Sequence, residues 1–69
     1  MRRQPVRSSA IASVGYDPGT AVLEVEFRSS DRYRYYAVPP SVHRAFVEAP
    51  SVGRYFQEHI RDRYPVEQL

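Results

Sequence analysis

Apolar and polar residues alternate along "AVLEVEFR", with Leu23, Val25 and Phe27 on one face and Val22, Glu24, Glu26 and Arg28 on the other. A period of two marks a half-buried β-strand. Upstream, "AIASVGY" reads as a first strand, and "YDPGT" joins the two with Pro18 and Gly19 where a type II turn favours them. Downstream, "SSD" breaks the alternation and "RYRYYAV" resumes it as a third strand, until Pro39 and Pro40 forbid further ladder pairing. The period then changes. Pro40 suits a first helical position, and Val42, Ala45, Phe46 and Ala49 recur at helical spacing up to Pro50. Ser51 caps a second helix whose apolar stripe is Val52, Phe56 and Ile60, flanked by Tyr55 and His59 and closed by Pro65.

Three strands followed by two helices predict an α+β fold: a three-stranded antiparallel β-meander with both helices packed on one sheet face. Residues 1–8 read as a basic, flexible arm interrupted by Pro5, residues 9–65 as the folded domain and residues 66–69 as a tail.

The second hairpin decides which way the aromatic residues of "DRYRYYAVPP" face, because a one-residue slip turns a whole strand over. A two-residue turn at Ser29 and Ser30 sets Arg34 beside Val25 and Arg32 beside Phe27, burying guanidinium groups at a cost of several kcal/mol each, on the order given for unpaired buried charge. A three-residue loop over Ser29 to Asp31 instead sets Tyr33 against Phe27, Tyr35 against Val25 and Ala37 against Leu23. That register is adopted here. It turns Tyr33 and Tyr35 toward the helices, pairs Glu26 with Arg34 and Glu24 with Tyr36, and leaves Arg28, Arg32, Arg34 and Tyr36 on the open face.

Composition narrows the chemistry. At 69 residues with no cysteine, the chain is one domain with a thin core and neither disulfides nor thiolate metal sites to reinforce it. All ten cationic side chains are arginine, so lysine-based covalent catalysis is excluded. The net charge of +2 is carried by Arg2, Arg3 and Arg7, since residues 11–69 hold seven arginines against eight carboxylates. The chain has no apolar run of the kind a signal peptide or membrane span needs, and the expectation is a soluble, cytoplasmic protein without a membrane partner.

Catalytic constellations are sparse. His43 reads as a surface or rim histidine. His59 and Asp62 share a helix face, but two ligands do not make a metal site. Ser51 is better explained as a cap than as a nucleophile. Gly53 at a helix start invites an anion-binding reading beside Arg54, against a plainer role in close packing. No catalysis, cofactor or metal is expected. The best candidate is the open sheet face, where Arg28, Arg32, Arg34 and Tyr36 combine charge with a ring, as single-stranded RNA requires. Glu24 and Glu26 on that face oppose phosphate. The rival is a protein-interaction or self-association module, possible as a homo-oligomer, that buries Val22, Tyr36 and Val38 or extends the sheet at an exposed edge.

"SSAIASVGYD", "LEVEF", the "YRY" of Tyr33 to Tyr35, "AVP" and "APSVGRYFQEHIRDRY" follow one another in an order that resembles the KTSC domain, a small bacterial family, over residues 6–64. That family occurs free-standing and at the C-terminus of some lysyl-tRNA synthetases, and it is defined by a central Tyr-x-Tyr motif, matched here by Tyr33 and Tyr35. The resemblance implies RNA binding only through the company the domain keeps. One departure is Ser30, near a turn where relatives carry glycine; it makes a tight mirror-image turn less natural and the looser loop easier to accept.

Overall fold

The computed structural model describes residues 2–69. The three strands read from the alternation form as β2 (Ile11–Asp17), β3 (Val22–Phe27) and β4 (Arg32–Tyr35). They are joined by β1 (Arg3–Pro5) at one edge and by β5 (Val66–Gln68) at the other, giving a five-stranded antiparallel sheet in the order β1-β2-β3-β4-β5. The expected three-stranded meander is thus corrected to five strands within the same α+β class. The arm and the tail, expected to lie outside the fold, supply the two edges. Neither carries an apolar alternation. They are held by the free backbone groups of β2 and β4 and by long-range side-chain contacts, and Pro5 is tolerated because β1 has no outer neighbour.

Helices α1 (Pro40–Glu48) and α2 (Val52–His59) lie between β4 and β5 in the chain. Pro40 opens α1, and the Ser51 hydroxyl accepts the Arg54 N–H at 3.3 Å to cap α2. Phe46, Val52, Phe56 and Ile60 pack onto Ile11, Val14, Leu23, Val25 and Tyr35, so the core lies between the helices and one sheet face. Ala45, assigned to the α1 stripe by spacing, is exposed.

The register of β3 against β4 is Leu23 opposite Tyr35, Glu24 opposite Arg34, Val25 opposite Tyr33 and Glu26 opposite Arg32. This differs by two residues from the register inferred above. A shift of two preserves the faces: Tyr35 is 4% exposed, edge-on to Phe56, and Tyr33 is half-buried, edge-on to Phe27. The reason lies in the loop. Ser30 N–H donates to the Phe27 carbonyl and Phe27 N–H to the Asp31 carbonyl, each at 2.9 Å, so the loop is Arg28 to Ser30 and Ser30 takes φ 77°. This is the three-residue hairpin whose last position is left-handed, where glycine is favoured.

The first hairpin is not a type II turn, because no glycine among the described residues has positive φ. Asp17 Oδ1 instead accepts the Gly19 N–H at 2.9 Å, and the left-handed residue is Ala21, φ 58°, whose carbonyl takes the Val38 N–H at 2.9 Å. Ala37, φ 60°, is likewise left-handed and exposed, not paired with Leu23. That single residue breaks the alternation after Tyr36, so Val38, expected on the open face, is fully buried in the core.

Candidate nucleic-acid interface

The open sheet face is a row of charges running across the strands. Arg3 on β1 lies opposite Gly15, Gly15 opposite Glu24, Glu24 opposite Arg34 and Arg34 opposite Glu67. Gly15 places no side chain between Arg3 and Glu24, and the two bond directly at 2.5 Å. The other Glu24 oxygen accepts Arg34 Nη2 at 2.6 Å and Arg34 Nε at 3.1 Å. Glu24 is only 6% exposed despite lying on the uncovered face. Its carboxylate, and secondarily the Tyr36 hydroxyl, raise the Arg34 guanidinium above its ordinary pKa. Tyr36 donates to Glu67 Oε1 at 2.6 Å, which raises its phenol in turn, and Ser13 donates to Glu26 Oε1 at 2.8 Å.

The four residues singled out for RNA are therefore divided. Arg34 and Tyr36 share the face but are committed to Glu24 and Glu67. Arg32 is exposed, opposite Glu26, and enters no ion pair among the described residues. Arg28 does not sit across from Arg32. It belongs to the hairpin loop and reaches back to the arm, donating through Nε to the Ser8 carbonyl at 2.9 Å and through its backbone N–H to Ala10 at 2.8 Å.

Where that loop, the arm and α2 meet, the surface is hollowed. One cleft of about 690 Å³ has Phe27, Tyr33, Tyr35 and Phe56 along its walls, with Arg28 and Arg61 at its rim. A second, about 380 Å³, lies between Arg7 and Arg54 at the start of α2. The two share Ser9, Ala10 and Gln57 and so adjoin one another. Tyr35 faces the larger cleft, and its phenol is raised chiefly by burial and next by Tyr33, with Arg61 opposing and Asp62 adding. The Tyr-x-Tyr pair thus builds the core and, at its rim, the cleft. Arg61 was not among the sequence candidates, and Arg54 entered only beside Gly53 as an anion-binding reading at the helix start. Arg54, Gln57 and Arg61 do recur at helical spacing, which could have drawn them together.

Both histidines lean on rings. His43 is half-buried and stacked on Tyr16 with centroids 4.4 Å apart, and its pKa is lowered by burial and by Arg44. His59 is exposed, beside Tyr55 and 4.0 Å from Glu58. Among the described residues no three His, Asp or Glu side chains gather as a metal site requires. Gly53 faces the Ser8 hydroxyl, and a Cβ there would meet it at 3.5 Å, an ordinary contact; the close backbone packing expected at this glycine is absent. Among the described residues no helix is long and apolar enough to cross a membrane.

The sequence profile of the KTSC domain matches residues 7–64. An uncharacterised protein of Stutzerimonas stutzeri is 47% identical over 64 residues, which are 93% of this chain and 90% of that protein. A lysine–tRNA ligase of Nostoc punctiforme is 39% identical over 61 residues, 88% of this chain but 11% of the ligase. The crystal structure of a KTSC domain protein from Yersinia pestis superposes with a TM-score of 0.96 at 41% identity, covering 99% of this chain and 96% of the other. With its sequence matched over residues 7–64 and its whole architecture reproduced in a solved relative, the chain belongs to the KTSC domain family.

Proposed function

We propose that this KTSC domain is a non-catalytic RNA-binding module acting in the cytoplasm. The observation that carries the reading is the uneven use of charge. Glu24, Glu26 and Glu58 are engaged by Arg3, Arg34 and Arg54, and Glu67 accepts Tyr36. Arg7, Arg28, Arg32, Arg44, Arg61 and Arg63 enter no ion pair among the described residues. With Asp17 accepting the Gly19 N–H and Asp31 the Ser29 hydroxyl, six of the eight carboxylates are satisfied internally, whereas Arg28 and Arg61 spend one nitrogen each on Ser8 and Gln57 and meet no carboxylate, and guanidinium suits phosphate better than ammonium does. The lysine–tRNA ligases that contain a matching region handle RNA by name, which agrees with this reading.

The direct test is fluorescence polarisation with a labelled single-stranded RNA across a salt series. Three phosphate contacts give a log–log slope of about −2, from roughly −0.7 per contact on single strands. Absence of binding at low salt refutes the reading. A protein-interaction or self-association role is favoured by one feature, the half-exposed Val66 and Leu69 at the β5 edge. On that reading light scattering reports a mass that rises with concentration, and a constant monomer mass excludes self-association.

A further inference from the structure

We infer that the groove formed by the two adjoining clefts, and not the open sheet face, is where the RNA strand lies, and that the strand must be unpaired. The inference rests on the RNA-binding reading and assigns it a place. Arg7 from the arm, Arg28 from the β3–β4 loop, Arg54 from α2 and Arg61 from the turn after it line the groove, against Asp31 and Asp62 alone; Arg61 donates through Nη1 to Gln57 at 2.9 Å, which leaves its other nitrogens for a ligand. Asp31 Oδ2 already accepts the Ser29 hydroxyl at 3.1 Å. Arg54 faces Glu58 at 3.5 Å, but both side chains are more than half exposed, and such a pair yields readily to a better anion.

Arg28 is the pre-organised member. Its Nε is fixed on the Ser8 carbonyl, which aims the remaining terminal nitrogens outward without further ordering. Beneath it, Phe27 and Tyr33 are half-buried at 5.7 Å in an edge-to-face pair, so ring surface remains at the cleft wall. Charge at the rim and rings in the wall match a strand whose phosphates stay at the surface while a base turns inward. A duplex keeps its bases stacked and cannot present one to a recessed ring. The sheet face offers the opposite arrangement. There Arg34 and Tyr36 are already bonded and Glu24, Glu26 and Glu67 stand among them.

The test compares wild type with Arg54→Ala on α2 and Arg61→Ala in the turn after it, both exposed positions, and with Arg32→Ala as the sheet-face control, using labelled single-stranded RNA and the same sequence as duplex. Thermal melts confirm that each variant folds. Arg61→Ala and Arg54→Ala are expected to flatten the salt slope by about 0.7 each, Arg32→Ala to leave it unchanged, and the duplex to bind at least tenfold more weakly. Amide shift changes on adding RNA should centre on Ser9, Gln57 and Arg61, not on Gly15 and Glu24. If wild type does not bind, the functional reading itself fails. If wild type binds but Arg32→Ala alone weakens it, or the duplex binds as well as the single strand, the groove assignment is overturned while RNA binding stands.

Discussion

Replacing Glu24 with glutamine tests whether the charge row is structural. Glu24 is 8% exposed at its side chain and divides its two oxygens between Arg3 and Arg34. A glutamine at this place keeps one acceptor and turns a donor toward one of the guanidinium groups. One charge-assisted hydrogen bond is then lost outright, worth about 1.5–3 kcal/mol, and the other is weakened. The figure of roughly 3–5 kcal/mol for breaking a fully buried ion pair is not reached, because Arg3 and Arg34 are about a third exposed and can hydrate. A loss of about 2 kcal/mol is expected. A chain of this length has a total stability of roughly 3.5–10 kcal/mol at 0.05–0.15 kcal/mol per residue, so the loss is large. At about 4–8 °C per kcal/mol for domains of this size, the melting temperature falls by about 8–16 °C. Glu26→Gln is the control, since that side chain is 36% exposed and 3.8 Å from Arg3, and its cost stays below about 1 kcal/mol. Circular-dichroism melts in low salt and at 1 M salt separate the two, because screening acts within about 3 Å at 1 M and removes exposed pairs preferentially. The Glu24 deficit should survive. A Glu24→Gln protein melting within about 2 °C of wild type refutes the structural reading and returns Arg34 to the pool of available phosphate ligands.

Three further outcomes are expected. Phe56→Ala removes a ring that contacts Phe27, Tyr35 and Phe46 in the core, at about 3–5 kcal/mol; urea titration should find the unfolding midpoint sharply lowered, and a midpoint close to that of wild type contradicts the packing described. Ser30→Gly relieves a left-handed residue at about 1–2 kcal/mol and gives back about 0.5–1 kcal/mol in unfolded-chain entropy, a net gain near 0.5 kcal/mol; a lowered melting temperature argues against the loop geometry. His43 is held below its ordinary pKa by burial and by Arg44, so the unfolded chain takes up its proton first. Its contribution is present above about pH 6.5 and is lost as pH falls through the lower folded value. His43→Gln should therefore flatten the melting temperature between about pH 7 and 5, and an unchanged profile assigns that dependence to other groups.

The alternating run 22–27, the Ser51 cap, the Pro40 helix start and the inward turn of Tyr33 and Tyr35 were legible in sequence, because each follows from local periodicity, a local hydrogen bond or the cost of burying an arginine. The face of β4 survived a register error of two residues for the same reason: parity is fixed by burial, whereas the exact pairing is fixed by which loop residue goes left-handed, and Ser30, Ala21 and Ala37 carry no side-chain signal for that. Strands β1 and β5 were invisible because their pairing energy resides in β2 and β4, far along the chain. The candidate site divided in the same way. That arginines and rings occur together could be read from residues 28–36, but whether a guanidinium group is free depends on the carboxylate beside it in space. Only the tertiary structure tied Arg34 to Glu24, carried Arg28 to the far side of the hairpin and brought Arg7, Arg54 and Arg61 to join it, since Coulomb attraction depends on distance through space and the order of residues along the chain sets few of those distances.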